Sequence, residues 1–246
     1  MSDTVTPGTD LTWTSDELMT VAASRLLTAG MTCFVGIGKP STAANLARLL
    51  HAPDLVLIYE SGPIGAKPTR LPLSIGDGEL ASTADLVVSI PEMFNYWLGG
   101  GKIQVGFLGA AQIDRWATIN TTVIGDYAHP KVRLPGAGGA PEIARNCAEV
   151  FVIVRQGART FVEEVDFATS PANAPTTVVT DLGVLRSKGP GDELTLTAIH
   201  PGVEIDQVKA ATAWDLAVAG DLATTAAPTA AELTALRDLE AASAVD

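Results

Sequence analysis

The chain has 246 residues, 47% of them apolar and only 5% aromatic, so its core is built from Ala, Val, Leu and Ile; disorder of the whole chain is excluded, and 23 Gly and 15 Pro without a Gly-X-Y period exclude a fibre. Acidic residues outnumber basic ones 28 to 16, a net charge of −12, and no Lys/Arg cluster offers a face to nucleic acid. Two cysteines make no disulfide framework, and the longest apolar runs fall far short of the roughly 18–20 residues of a membrane span.

In chain order, Met1 to Thr14 is polar and mixed, carries no signal-peptide pattern and is expected to be flexible. The chain as a whole reads as one cytoplasmic domain over residues 1–246. Ser15-Asp16-Glu17 opens a helix carrying Leu18, Val21, Ala22 and Leu26 at helical spacing, and Gly30 ends it. Met31 to Ile37 is a short buried strand, with Cys33 an inert thiol inside it. Gly36-Ile-Gly38-Lys39-Pro40-Ser41 turns into a second helix, Thr42 to Leu50. Leu55 to Tyr59 is a continuous apolar run typical of a parallel strand covered on both faces, and it stops at Glu60-Ser61-Gly62-Pro63.

The alternation continues. Asp85 to Ile90 is a strand candidate, Pro91 to Leu98 a helix broken by Gly99-Gly100-Gly101, and Ile103 to Leu108 a strand. Val132-Arg133-Leu134 leads into Pro135-Gly-Ala-Gly-Gly-Ala140; Pro141 to Cys147 is a short helix and Glu149 to Val154 a buried strand. Strands alternating with helices predict an open α/β layer with a mostly parallel sheet. From about Ala158 the strands shorten: Arg159 to Val165, Thr176 to Thr180, Val184 to Arg186 and Leu194 to Ile199 read as an antiparallel extension in the C-terminal third. Helices are expected at Ile205 to Ala213 and, amphipathic, at Thr229 to Ala242.

In such sheets the site lies outside the carboxyl ends of the strands. Glu60 falls there, directly after five apolar residues, and a carboxylate fixed and partly dehydrated at a strand tip is a competent nucleophile or base. Ser61 and Gly62 form a tight turn that lets backbone approach a ligand closely. The Gly136-Ala-Gly-Gly-Ala140 loop follows a strand and opens a helix, so its N–H groups are placed to face a developing oxyanion. Neither it nor Gly36-Ile-Gly38 has the spacing of a dinucleotide fingerprint, and Gly99-Gly-Gly-Lys102 lacks Walker spacing. His51, His129 and His200 make no metal constellation, so no metal site is expected. Asp126 with His129 reads as a loop-stabilising pair before a catalytic one, and Asn120 as a supporting amide.

These stretches together resemble the β subunits of class I coenzyme A transferases, especially the glutaconate type, from about Leu18 to Leu216. The resemblance rests on Val35-Gly-Ile-Gly-Lys-Pro40, Tyr59-Glu-Ser-Gly62, Phe107 to Asp114, Ile119 to Tyr127, His129-Pro-Lys131, Gly136 to Ala140, Thr169-Ser-Pro171 and Ile199 to Val203. It implies the CoA-transferase/NagB-like fold, no tightly bound cofactor, an acyl-CoA substrate and a homologous α subunit, often as an α₂β₂ assembly. It further implies Glu60 as the residue that attacks the thioester. By the same resemblance Gly36, Gly38, Gly136, Gly138, Gly139 and Ala140 line the CoA site, with Asn120 and Asp126 nearby. Within the family the Glu60-Ser-Gly-Pro-Ile-Gly-Ala66 wording is most similar to the steroid-ring-cleaving hydrolase branch, which implies hydrolytic opening of a cyclic β-oxo-enoyl-CoA. The alternative is a genuine CoA transferase working through a glutamyl-CoA thioester. A ligand-sensing subunit is opposed by the charge and by the short, loose segment before the first helix.

Overall fold

A computed structural model of the chain describes residues 11–243 and the backbone of residues 4 and 5. The first elements are β1 (Thr4–Val5), β2 (Trp13–Thr14), α1 (Ser15–Ser24), β3 (Thr32–Val35), α2 (Lys39–Leu50), β4 (Val56–Ile58) and β5 (Pro63–Ile64). Then come α3 (Gly78–Ser82), β6 (Leu86–Val87), α4 (Ile90–Glu92) running into a π-helix (Met93–Leu98), β7 (Val105–Leu108), β8 (Gln112–Ile113) and β9 (Ile119–Asn120). The rest are β10 (Val123–Gly125), β11 (Pro130–Arg133), α5 (Ala140–Asn146), β12 (Glu149–Ile153), β13 (Thr176–Val179), β14 (Gly183–Ser187), β15 (Thr195–Ile199), α6 (Ile205–Ala210), β16 (Ala217–Thr224) and α7 (Ala230–Ser243).

Ten strands form one sheet in the order β16-β15-β14-β13-β12-β7-β3-β4-β5-β6. The central run from β13 to β4 is parallel. Antiparallel pairs flank it, β13–β14–β15 on one side and β4–β5–β6 on the other, and β16 lies parallel to β15 at the far edge. The sheet separates two apolar clusters. Ala43, Ala44 and Ala47 of α2 pack with Met19 and Ala23 of α1 on one face; Met93 and Leu98 of the π-helix pack with Ile143 of α5 on the other. Small alanines let the helices sit close to strands that are buried on both faces, which is why those strands read as unbroken apolar runs.

Several elements depart from expectation. Trp13 is 2% exposed and Thr14 caps α1 through a capping box with Glu17, so the end of the predicted flexible segment is ordered; residues 1–3 and 6–10 of it lie outside the described residues. Arg159 to Val165 is not a strand. Phe161 alone is buried there, stacked on Trp214 and bridged to Ile113, while Glu163 and Glu164 face outward, so one anchor residue gives the segment the look of a strand. The Asp85–Ile90 strand shrinks to Leu86–Val87 because Ser89 caps the next helix, accepting from the Glu92 N–H. β16 is a strand that the sequence does not announce: Ala217 to Thr224 is Ala-rich with a glycine inside, and gives almost no alternating signal.

Two ion pairs help to dock the C-terminal helix, Arg237 with Glu17 of α1 and the partly buried Arg25 with Glu232. Arg25 donates to both carboxylate oxygens of Glu232 at 2.7 Å and to the carbonyls of Ala226 and Ala227. Burial by itself would raise the Glu232 carboxyl, but Arg25 and the Thr229 N–H and hydroxyl outweigh it and hold it down at about 2. A depressed folded value stabilises above the unfolded value and is lost as pH falls through the folded one. α7 docking is therefore expected to weaken from about pH 4.5 down to about pH 2. Arg25→Met should reduce that acid dependence, leaving the part due to Thr229, and cost about 1–2 kcal/mol at neutral pH, read by urea unfolding at neutral and acid pH.

Candidate active site

Glu60 stands at the tip of a hairpin. β4 ends at Ile58, Gly62 N–H donates to the Tyr59 carbonyl, Tyr59 N–H donates to the Pro63 carbonyl, and β5 returns antiparallel with Ile58 opposite Ile64. The turn is held from below. Tyr59 is fully buried and its hydroxyl lies 3.2 Å from Ser41 Oγ, with Asn45 Nδ2 also within reach. It is held from the side by Val88, whose N–H donates to the Gly62 carbonyl. Gly62 has φ +115°, and a Cβ there would lie 2.0 Å from the Val88 carbonyl oxygen, so only glycine completes this turn. Glu60 is half-buried, and the Ser61 hydroxyl is buried with no hydrogen-bond partner among the described residues.

The glycine loop meets this tip. A Cβ on Gly139 would sit 3.2 Å from the Glu60 carboxyl carbon, so loop backbone and carboxyl are in contact range. Gly139 is the N-cap of α5, and Pro141 follows in its first turn. The Ala140 N–H is taken up by the Ala137 carbonyl, and Gly136 N–H by the Thr121 carbonyl. The Ala137, Gly138 and Gly139 amides have no partner among the described hydrogen bonds, and Gly139 is the one of these residues placed against the carboxyl. Gly136 and Ala140 thus shape the loop and do not offer N–H groups to a ligand, a narrower role than the sequence suggests.

Gly36 and Gly38 leave the same edge of the sheet, after β3, the strand beside β4. Gly36 N–H donates to the Phe107 carbonyl of β7, and Gly38 starts α2 at φ +86°. β3 connects through α2 to β4, whereas β7 connects through α5 to β12 on the opposite face, so the chain switches direction between them, where open α/β sheets form their binding crevice.

Asn120 is wholly buried and acts as a bracket. Its Nδ2 donates to Gln112 Oε1 at 2.7 Å and the Val123 carbonyl at 2.6 Å, and its Oδ1 accepts from Thr122 N–H at 2.9 Å. That fixes Thr121, whose hydroxyl donates to the Gly136 carbonyl at 2.9 Å. Thr169 joins the bracket, accepting from Thr121 N–H and bonding the Thr122 hydroxyl. Asn120 therefore reaches the site through the start of the glycine loop. Asn120→Ala is expected to cost about 2–3 kcal/mol in urea unfolding, because buried partners are left unmade. Asp126 is elsewhere in character: exposed, accepting from the N–H groups of Ala128 and His129, it closes a loop turn, and His129 beside it is exposed too.

Phe94 is a site neighbour that sequence reasoning misses. Its ring tip would lie 2.7 Å from a Cβ on Gly139, and it packs on Phe34 at 6.1 Å between centroids. Its segment reads as an ordinary helix in sequence, and only the wide π-turn brings this ring to the glycine loop. Cys33 and Cys147 are buried, and burial pushes both thiols up, Cys147 to about 12, which removes them as nucleophiles. No group of three or more His, Cys, Asp or Glu among the described residues is arranged to hold a metal ion, and no described helix is long and apolar enough to cross a membrane.

Residues 17–211 match the family model described as Coenzyme A transferase. The chain is 56% identical to the β subunit of the 3-oxoadipate CoA-transferase of Pseudomonas knackmussii, over 94% of this chain and 95% of that protein. It is 30% identical to the cholesterol ring-cleaving hydrolase IpdB subunit of Rhodococcus jostii, over 81% of each. The order of similarity therefore runs against the expected steroid branch. The crystal structure of glutaconate coenzyme A-transferase from Acidaminococcus fermentans superposes with a TM-score of 0.84 at 28% identity, covering 92% of this chain and 94% of that one. With a family match across most of its length, and the open α/β sheet to go with it, the chain belongs to the coenzyme A transferase family.

Proposed function

We propose that the chain is the β subunit of a genuine CoA transferase that moves CoA between an acyl-CoA and a 3-oxo dicarboxylic acid of the 3-oxoadipate type, with Glu60 as nucleophile. The observation that carries this reading is the close approach of the Glu60 carboxyl to Gly139, in a glycine loop whose Ala137, Gly138 and Gly139 amides are unpaired among the described hydrogen bonds. A Glu60 oxygen adds to the thioester carbonyl, the CoA thiolate leaves, and an acyl-glutamyl anhydride forms. The thiolate then attacks the glutamyl carbonyl, the first acid departs as carboxylate, and a glutamyl-CoA thioester remains. The second acid's carboxylate runs the same steps in reverse. The Gly138 and Gly139 amides are the donors we assign to the oxyanion. CoA enters as substrate and leaves as product, so no bound cofactor is required.

A homologous α subunit completes the site, in an α₂β₂ assembly. Leu86, Val87, Ile90 and Tyr96 are each about half exposed or more, on the edge strand and helix that follow the Glu60 turn, and an apolar sheet edge of this kind is normally covered. Glu60 lines neither of two open clefts, of about 580 and 400 Å³, both on the β12–β16 half of the sheet. We place the enzyme in the cytoplasm, which suits two unpaired cysteines.

The test is an assay of the α/β pair with 3-oxoadipate and an acyl-CoA donor. CoA transfer that requires the free acid is expected. Consumption of a cyclic β-oxo-enoyl-CoA in water with no acceptor acid would overturn this reading in favour of the ring-opening one.

A further inference from the structure

We propose that Phe94 keeps water off the activated Glu60 carboxyl and so holds the enzyme to transfer rather than hydrolysis. The inference rests on the nucleophilic role of Glu60 given above.

Gly139 carries the first part of the argument. Its backbone lies at φ −86° and ψ 0°, with none of the left-handed φ that favours glycine, so the glycine is not there for its φ. It is there for space. A Cβ at this position would lie 2.7 Å from Phe94 Cζ, 3.0 Å from Phe94 Cε1 and 3.2 Å from Glu60 Cδ. Ring tip, carboxyl and loop backbone converge on one point, and the missing side chain lets the ring close on it.

The second part is how the ring is held. Phe94 is half-buried, tilted at 57° against buried Phe34 and packed on the core cluster beneath the sheet. Its carbonyl accepts from the Gly99 N–H at 2.8 Å, five residues on, which is the wide turn of a π-helix. Such an extra residue in a turn re-aims the side chains around it, and it recurs at functional sites. On the same segment Met93 and Leu98 are buried and Asn95 and Tyr96 face outward. A ring used only as filler would be sunk with Met93; this one stops with its tip at the glycine beside the carboxyl.

The chemistry makes that position matter. The glutamyl thioester is open to water, whose oxygen adds to the glutamyl carbonyl. The CoA thiolate leaves and takes up one proton, a second proton goes to solvent, and the Glu60 carboxylate is restored. Transfer wins only when the acid's carboxylate reaches that carbonyl before water does. An apolar ring at the carboxyl removes one approach for water and raises the reactivity of the carboxylate by dehydrating it.

The experiment compares wild type, Phe94→Ala, Phe94→Val and Phe94→Leu in the full α/β complex. Free CoA thiol released from acyl-CoA is measured alongside CoA moved to 3-oxoadipate, and the Glu60–CoA adduct is followed by mass. Phe94→Ala is expected to raise the ratio of hydrolysis to transfer by at least about tenfold, with Leu restoring most of the wild-type ratio and Val falling between. Val carries the test if the alanine chain fails to assemble. An adduct in wild type with an unchanged ratio in Ala and Val would overturn this inference alone. No adduct in wild type would overturn the nucleophilic role of Glu60, and this inference with it.

Discussion

Glu60→Gln in the assembled enzyme is expected to abolish CoA exchange while the fold stays intact. The amide keeps the size of the side chain but offers no carboxylate oxygen to the thioester. A covalent nucleophile supplies several kcal/mol of barrier lowering, so exchange should fall at least about a hundredfold. Stability should move by no more than about 0.5 kcal/mol, because Glu60 is half-buried at a hairpin tip and makes no described hydrogen bond or ion pair that the amide would forfeit. Two readouts separate the cases. Wild type incubated with acyl-CoA and then borohydride or hydroxylamine should carry a modified peptide containing Glu60, and the variant should not. Near-normal turnover in the variant would exclude the anhydride route.

The location of that carboxylate is legible because parallel strands buried on both faces read as apolar runs, and Leu55 to Tyr59 ends abruptly in a charge. The glycine loop is legible for a similar reason: it stands between a strand and a helix with Pro141 in the first turn. Other features depend on distance across the fold, and sequence carries no trace of that. Phe94 reads as one apolar residue of a helix, since nothing local reveals that Gly99 bonds five residues back. β5 is two residues long, and β16 is built largely from small residues, so neither makes a periodic signal. Asn120 is visible as an amide in a family stretch, but its work depends on Gln112 and Thr169, the latter 49 residues further on. Branch within the family is the least legible feature. The turn wording around Glu60 points toward the steroid hydrolases, whereas identity along the whole chain is far higher to a 3-oxoadipate transferase subunit, 56% against 30%. A match over seven residues weighs little against identity over the whole chain, because function is carried by the site as a whole and not by one turn.

Gly62→Ala is expected to damage both the fold and the site, and comparison with Gly38→Ala shows why. Both glycines have positive φ, +115° at Gly62 and +86° at Gly38, so alanine strains the backbone at either. At Gly38 nothing lies within 4 Å of an added Cβ, and strain is the whole cost, about 1–2 kcal/mol. At Gly62 the added carbon lies 2.0 Å from the Val88 carbonyl oxygen and 3.1 Å from its carbon. That obstacle is backbone, held by Val88 N–H donating to the Gly62 carbonyl, and it has no flexible end to swing away. The hairpin must therefore separate from the strand beside it, which breaks that hydrogen bond and moves Glu60 off the glycine loop. A loss of about 3 kcal/mol or more in urea unfolding is expected for Gly62→Ala, against about 1–2 for Gly38→Ala. Transfer activity should fall with the Gly62 change even at temperatures where the chain stays folded, since the carboxyl no longer meets Gly139. Equal stability losses at the two positions would show that φ alone governs both sites and that Val88 does not lock the turn that carries Glu60.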